Sequence, residues 1–236
     1  MKISLMLKYC INLFLILIIP FNLISQENDI NQDSLINQKY GLRMGLDLNK
    51  LITSYTDDSY NGIELSADYR IFNKLYVATE IGHTNKLIEN NYINFRSKGN
   101  YLKIGVDYNM HNNWLDMQNL IFSGIRIGYS SFDQTINSYT IYDINSDVWG
   151  LNTINHSIFN NNLSSVWLEL IFGIKAEILN NLFLGFNLEI KKMIDSKTKN
   201  NIDNLYVPGF NKTYEGSSFG TGFSYKISYL IPIIRK

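Results

Sequence analysis

The chain has 236 residues, 21 Lys/Arg against 21 Asp/Glu, 16 tyrosines, 13 phenylalanines and three prolines. One domain is expected at this length. Zero net charge gives no basic footprint for nucleic acid, and a single cysteine, Cys10, excludes a disulfide framework.

The N-terminus reads as a secretory signal over residues 1–25. Lys2 and Lys8 form a positive start, 11–24 is an apolar run, and Ser25 is a small residue before Gln26. The rival reading is a membrane anchor, but Asn12, Pro20 and Asn22 interrupt the run, which is short of the ~20 apolar residues a spanning helix needs. Cys10 lies inside the signal, so the mature chain would hold no thiolate nucleophile. Residues 26–38 are polar and read as a flexible periplasmic lead-in; 39–236 form the main domain.

From Tyr40 onward the pattern has a period of two. Tyr40, Leu42, Met44, Leu46 and Leu48 share one face; Gly41, Arg43, Gly45 and Asp47 share the other. Eight segments repeat this alternation: 40–49, 62–72, 75–84, 100–110, 119–132, 165–179, 182–193 and 219–231. Most reach the ~9–11 residues of a tilted membrane-spanning strand. No helix-period segment is expected in the mature chain.

The connections alternate in length. Turns 73–74, 111–118 and 180–181 are short; 50–61, 85–99, 133–164 and 194–218 are mostly longer. This asymmetry is that of outer-membrane barrels, with short turns and both termini in the periplasm and long loops outside. The expected fold is all-β: a transmembrane antiparallel up-and-down barrel of about eight strands, the size of OmpA- and OmpX-type barrels.

Glycine tells the faces apart. Ten of the 15 glycines lie on the polar face of the strands, where a narrow eight-stranded interior needs room for long neighbours. That face is expected to point inward and the bulky face to meet lipid. The interior then carries Arg43, Arg70, Lys103, Arg126, Lys175, Lys191 and Lys226 against Asp47, Glu64, Asp68, Glu80, Asp107, Glu169, Glu177 and Glu189. Near-balanced signs point to a cross-linked plug; a selective pore would show rings of one sign. Tyr40, Tyr69, Tyr108 and Tyr229 are expected to face outward at the periplasmic end as an aromatic girdle. Tyr129 and Phe219 fit a second girdle, whereas Trp167 comes out facing inward.

Several stretches match a known pattern: YGLRMGLDLNKLI, KGNYLKIGVDYNM, GIKAEILNNLFLGF, NLYVPGFNKTY and the closing ISYLIPI. Together the chain resembles an uncharacterised family of Bacteroidota outer-membrane β-barrel proteins, carried as a domain of unknown function. The resemblance implies a barrel across nearly the whole mature chain and brings no catalytic residue. The end departs from better-known barrels: Ile234, Arg235 and Lys236 replace the usual terminal aromatic of the assembly signal.

No catalytic, cofactor or metal site is expected. His83, His111 and His156 are not spaced as ligands. His83 faces outward near the outer leaflet, as in lipid A-modifying barrels, but its strand offers no serine beside it and Ser131 lies two strands away. The favoured role is a structural or surface-interaction protein without enzyme activity. A narrow channel for small solutes is the alternative, and a lipid-modifying enzyme or a soluble lipid-binding barrel come after it. Expected partners are outer-membrane lipid, the barrel-assembly machinery during biogenesis, and an extracellular ligand of unknown kind. In 133–164, Tyr139, Tyr142, Trp149 and Phe159 serve equally well as a binding surface or as packing within the loop, and SYTIYDI reads as a hairpin extension. NLYVPGF reads as an ordered loop turning at Pro208 and Gly209.

Overall fold

A computed structural model describes residues 39–111, 117–141, 152–200, 202–214 and 216–235; the signal, the lead-in, Tyr142 and Trp149 lie outside them. The elements are β1 (Lys39–Asp47), α1 (Leu48–Thr56), β2 (Tyr60–Arg70), β3 (Leu75–Glu89), β4 (Ile93–Asn109), β5 (Leu120–Ile141), β6 (Asn152–Ile154), β7 (Ile158–Leu179), β8 (Leu182–Ser196), β9 (Tyr206–Val207), β10 (Asn211–Lys212) and β11 (Phe219–Arg235). Eight long strands pair antiparallel with their chain neighbours, and β11 returns to β1 to close the ring. Closure removes the free edges that an open sheet would expose. Partners followed round the ring from Arg43 run through Asp68, Ala78, Gly105, Arg126, Glu169, Lys191 and Gly220. The path reaches β11 ten residues before Leu230, the partner of Arg43, a stagger that goes with strands tilted by ~35–45°.

The alternation settles which face is which. Ile63 and Leu65 on β2, Leu102, Ile104 and Val106 on β4, and Leu184, Phe186, Leu188 and Ile190 on β8 are 36–52 % exposed. Arg43, Glu64, Lys103, Arg126, Glu169 and Lys191 are at most 4 % exposed. Bulk outside and charge inside invert a water-soluble domain and belong to a transmembrane β-barrel. The Asn180–Asn181 turn is as tight as its sequence implies, with Asn181 at φ 66°.

Two sequence expectations need correction. Residues 85–99 are not a loop: β3 runs to Glu89 and β4 starts at Ile93, paired as far as Glu89 with Asn94. Within 133–164 the strand extension read from SYTIYDI holds over its described residues, with β5 reaching Ile141, β7 starting at Ile158, and Tyr139 to Ile141 pairing with β6. Above the apolar belt the outward face meets water, so strands continue there without an apolar row to mark them. The second correction is α1. Asp47 caps it, its side chain accepting from Asn49 N at 2.8 Å. The helix follows β1 directly, where a polar loop was expected.

Candidate functional site

Among the described residues, buried ionisable side chains concentrate in the lumen. At the end carrying the short turns, Arg43 pairs with Asp68 at 3.3 Å and lies over the Phe183 ring at 4.3 Å. Lys175 reaches Asp68 at 2.7 Å and Asp107 at 3.7 Å, and Arg126 holds Asp107 at 2.7 Å. Further along, Lys226 bridges Glu80 at 2.7 Å and Glu64 at 3.1 Å. Lys103 is the hub: Glu80 at 3.0 Å, Glu169 at 3.3 Å and Glu64 at 3.8 Å surround its ammonium. Lys191 completes the set on Glu189 at 2.9 Å and Glu169 at 3.9 Å. Burying charge costs several kcal/mol per ion unless each is paired. Each of these six cations faces at least one carboxylate, and Lys103, Lys175, Lys191 and Lys226 face two or more.

The predicted residues do not all share this network. Arg70 sits at the rim, donating to the carbonyls of Phe72 and Asn73. Glu177 is half-buried there and accepts from the backbone N–H of Gln118 and Asn181. Asp47 is buried, but it caps α1. Tyr69, Tyr108 and Tyr229 are 40–50 % exposed on the outer face. Tyr40 departs from them: a register shift between Tyr40 and Gly41 turns it toward the rim. Its hydroxyl donates to Asn73 and its ring takes the Arg70 guanidinium at 4.9 Å.

A second filling lies above the charges. The 204–210 segment does not stay outside; it folds into the barrel mouth. Val207 is fully buried and Phe210 is 2 % exposed, packed with Tyr101, Phe132, Leu163 and Trp167. Phe210 meets the Trp167 ring edge-on at 6.0 Å. Polar contacts fix the segment: Ser97 Oγ donates to the Tyr206 carbonyl at 2.8 Å, and Leu205 N donates to Gln134 Oε1 at 2.9 Å. Gly209 takes φ +83°, and a Cβ there would sit 2.6 Å from the Tyr101 ring, so glycine alone fits the turn. Burial pushes the Tyr206 phenol up. The two fillings are tied together: Trp167 Nε1 donates to Glu169 at 3.1 Å, Tyr101 Oη to Glu64 at 2.6 Å, and Lys191 Nζ to the Gly209 carbonyl at 2.8 Å.

Little space remains among the strand-borne charges, whereas a cavity of about 640 Å³ lies beside the 204–210 segment, lined by Met193, Ser196, Asn204, Leu205, Phe210 and Thr213 among others. A void of about 20 Å³ lies among Asp68, Glu80, Asp107, Arg126, Lys175 and Lys226, room for one water. A larger cavity of about 170 Å³ lies beneath α1, lined by Asp47, Lys50, Glu64, Lys103, Glu189 and Lys191.

A family model described as "Domain of unknown function (DUF6048)" matches residues 6–236. The chain belongs to the DUF6048 family. No curated protein matches it. Among solved structures it is similar to Neisserial surface protein A, at 11 % identity and TM-score 0.40, covering 81 % of this chain and 96 % of that one. It is similar also to Ail, the attachment invasion locus protein of Yersinia pestis, at 11 % identity and TM-score 0.40, covering 81 % and 94 %. The N-terminal β-barrel domain of Pseudomonas aeruginosa OprF matches at 8 % identity and TM-score 0.39, covering 82 % and 99 %.

Sequence reasoning misses two parts of the lumen in this DUF6048 barrel. Lys50 falls in an expected loop, yet it reaches in from α1 to Glu64 at 3.8 Å and over Tyr101 at 5.3 Å. The 204–210 plug carried no period to reveal it. Its receptor did leave a trace: Trp167 facing inward is the anvil against which Phe210 packs. The aromatics of 133–164 divide: Tyr139 packs inward with Phe95, Ile136 and Tyr206, whereas Phe159 is 65 % exposed. His83 Nδ1 lies 2.7 Å from Asn100 Oδ1 on the outer face.

Proposed function

We propose that this protein is an outer-membrane barrel that works as a closed pedestal for an extracellular sheet, without catalysis. The observation that carries the reading is the union of a filled lumen with strands that outlast the membrane. β3 and β4 continue past the apolar belt to Glu89 and Ile93, and β5 and β7 past it to Ile141 and Ile158. Their inner face is not hollow: Phe95, Ile136 and Tyr206 pack there with Ile88, Ile93, Tyr139, Ile158 and Leu205. Such a core makes the extension rigid, and Tyr92 and Phe159 stand exposed on it at 60 % and 65 %. Exposed aromatics on a stiff scaffold suit recognition of a partner outside the cell. Residues 1–25 would be a cleaved export signal, and the Bacteroidota resemblance of the sequence motifs fits an outer-membrane setting.

In this reading the short turns face the periplasm. An epitope tag inserted between Asn91 and Tyr92 is expected to be reached by antibody on intact cells, and a tag in the Asn180–Asn181 turn only after lysis. The mature N-terminus should be found near Gln26. The reverse accessibility, or recovery of the protein from the soluble periplasm, would overturn the reading.

A further inference from the structure

The barrel wall has a gap, and α1 stands in it. β1 pairs with β11 only up to Asp47 with Lys226, and with β2 only up to Leu46 with Leu65. β11 continues to Phe219 and β2 back to Tyr60 without a strand between them. Part of the unpaired β2 edge is satisfied by the helix. Ser54 Oγ accepts from Gly62 N at 2.8 Å and donates to Gly62 O at 3.1 Å, doing for β2 what a neighbouring strand would do.

The helix is amphipathic in an inverted sense. Asn49, Lys50, Thr53 and Ser54 lie half-buried, turned toward the wall and lumen. Leu51, Ile52 and Tyr55 are 37 %, 60 % and 92 % exposed. With Leu48 they form the 0, 3, 4, 7 spacing of a single apolar face. A helix on a water-facing surface would turn that face inward. Here the face is flanked by Ile63 and Leu65 on β2 and by Phe223 and Tyr225 on β11, all 45–53 % exposed on the barrel's apolar exterior. The exposed helix face is therefore continuous with the belt on both sides.

We propose that α1 is a helical stave of the membrane wall, its Leu51–Ile52–Tyr55 face seated against acyl chains of the outer leaflet. This rests on the outer-membrane reading above. The chemistry is that of an interfacial helix, whose apolar side is buried in lipid while its polar side is satisfied elsewhere. Here the polar side is satisfied by the lumen: Lys50 points at Glu64, and Asp47 caps the helix start.

The test places a nitroxide on single cysteines in the full chain carrying Cys10→Ser: Ile52→Cys and Tyr55→Cys on the helix, Ile63→Cys on the belt, and Tyr92→Cys on the distal hairpin. Each is folded into vesicles of phosphatidylethanolamine and phosphatidylglycerol, with heat-modifiable gel migration as the check of folding. Collision with oxygen, which partitions into hydrocarbon, is compared with collision with a water-soluble nickel chelate. The oxygen-to-nickel ratio at 52 and 55 is expected to match that at 63 and to exceed that at 92 several-fold. A ratio at 52 and 55 equal to that at 92 would overturn the proposal. So would line broadening at 52 that vanishes on dilution with lipid, which would make the face an interface between copies. A water-like ratio at 63 itself would instead fell the outer-membrane reading.

Discussion

The lumen of this barrel is filled twice, by opposite means. Toward the short turns it is packed with ion pairs centred on Lys103; toward the long connections it is packed with Val207, Phe210, Trp167, Tyr101, Phe132 and Leu163. The charges come from the strands themselves, so they are fixed wherever the ring is fixed. The apolar filling takes four of its six residues from strands and two, Val207 and Phe210, from a returning segment, so it depends on that segment docking. The lower filling therefore belongs to the stability of the ring, and the upper one governs the mouth.

Removing the hub should have the largest effect. Lys103→Met leaves Glu64, Glu80 and Glu169 facing one another with one buried cation fewer, a loss of ~3–5 kcal/mol for a broken buried pair. Urea unfolding in bilayers would measure it; a loss below about 1 kcal/mol would mean lumen water, not pairing, carries these charges. Next is the outer face. Leu184→Arg should cost ~2–4 kcal/mol by the depth-dependent penalty for charge in lipid, and Leu184→Ala much less. Equal tolerance of both would reverse inside and outside.

Two glycines then separate the fillings. A Cβ on Gly128 would stand 2.1 Å from the Trp167 ring, whereas one on Gly185 would find its nearest neighbour, Lys175 Cγ, at 3.5 Å. Gly128→Ala should cost ~1–3 kcal/mol through displaced packing and loosen the mouth. Gly185→Ala should be near neutral. Protease sensitivity around Leu205 alongside unfolding would show which filling moved.

The smallest effect lies beyond α1. Asp57 accepts from Lys86 Nζ at 2.8 Å and from Ser59, and the Lys86 bond above all holds its carboxyl down at about 2. A lowered folded value means the contact contributes fully above about pH 4 and is lost as pH falls toward 2. Proteolysis of the 57–59 turn should rise across that window, and Asp57→Asn should abolish the step.

The fold was legible because a period of two survives wherever one face meets lipid and the other meets the lumen. It failed where those conditions end. Past Thr84 and before Asn100 no apolar row marks the outer face, so β3 and β4 looked like loop although they stay paired. Leu48, Leu51, Ile52 and Tyr55 did carry helical spacing, but nine residues directly after a strand gave it too little length to stand out. Parity places Lys103 and Glu169 on one face; which residues meet depends on the stagger of the ring, which parity does not contain. The NLYVPGF plug has no period, and only the inward Trp167 hinted that something apolar had to fill the mouth.

Conductance tests the closed lumen most directly. Purified barrel is inserted into planar bilayers at neutral pH and compared with a variant in which 204–210 is replaced by a Gly/Ser linker. The native barrel should show no resolved openings, and the variant should remain closed because the strand-borne ion pairs around Lys103 stay beneath the removed plug. Steady ohmic steps from the native protein would contradict the account.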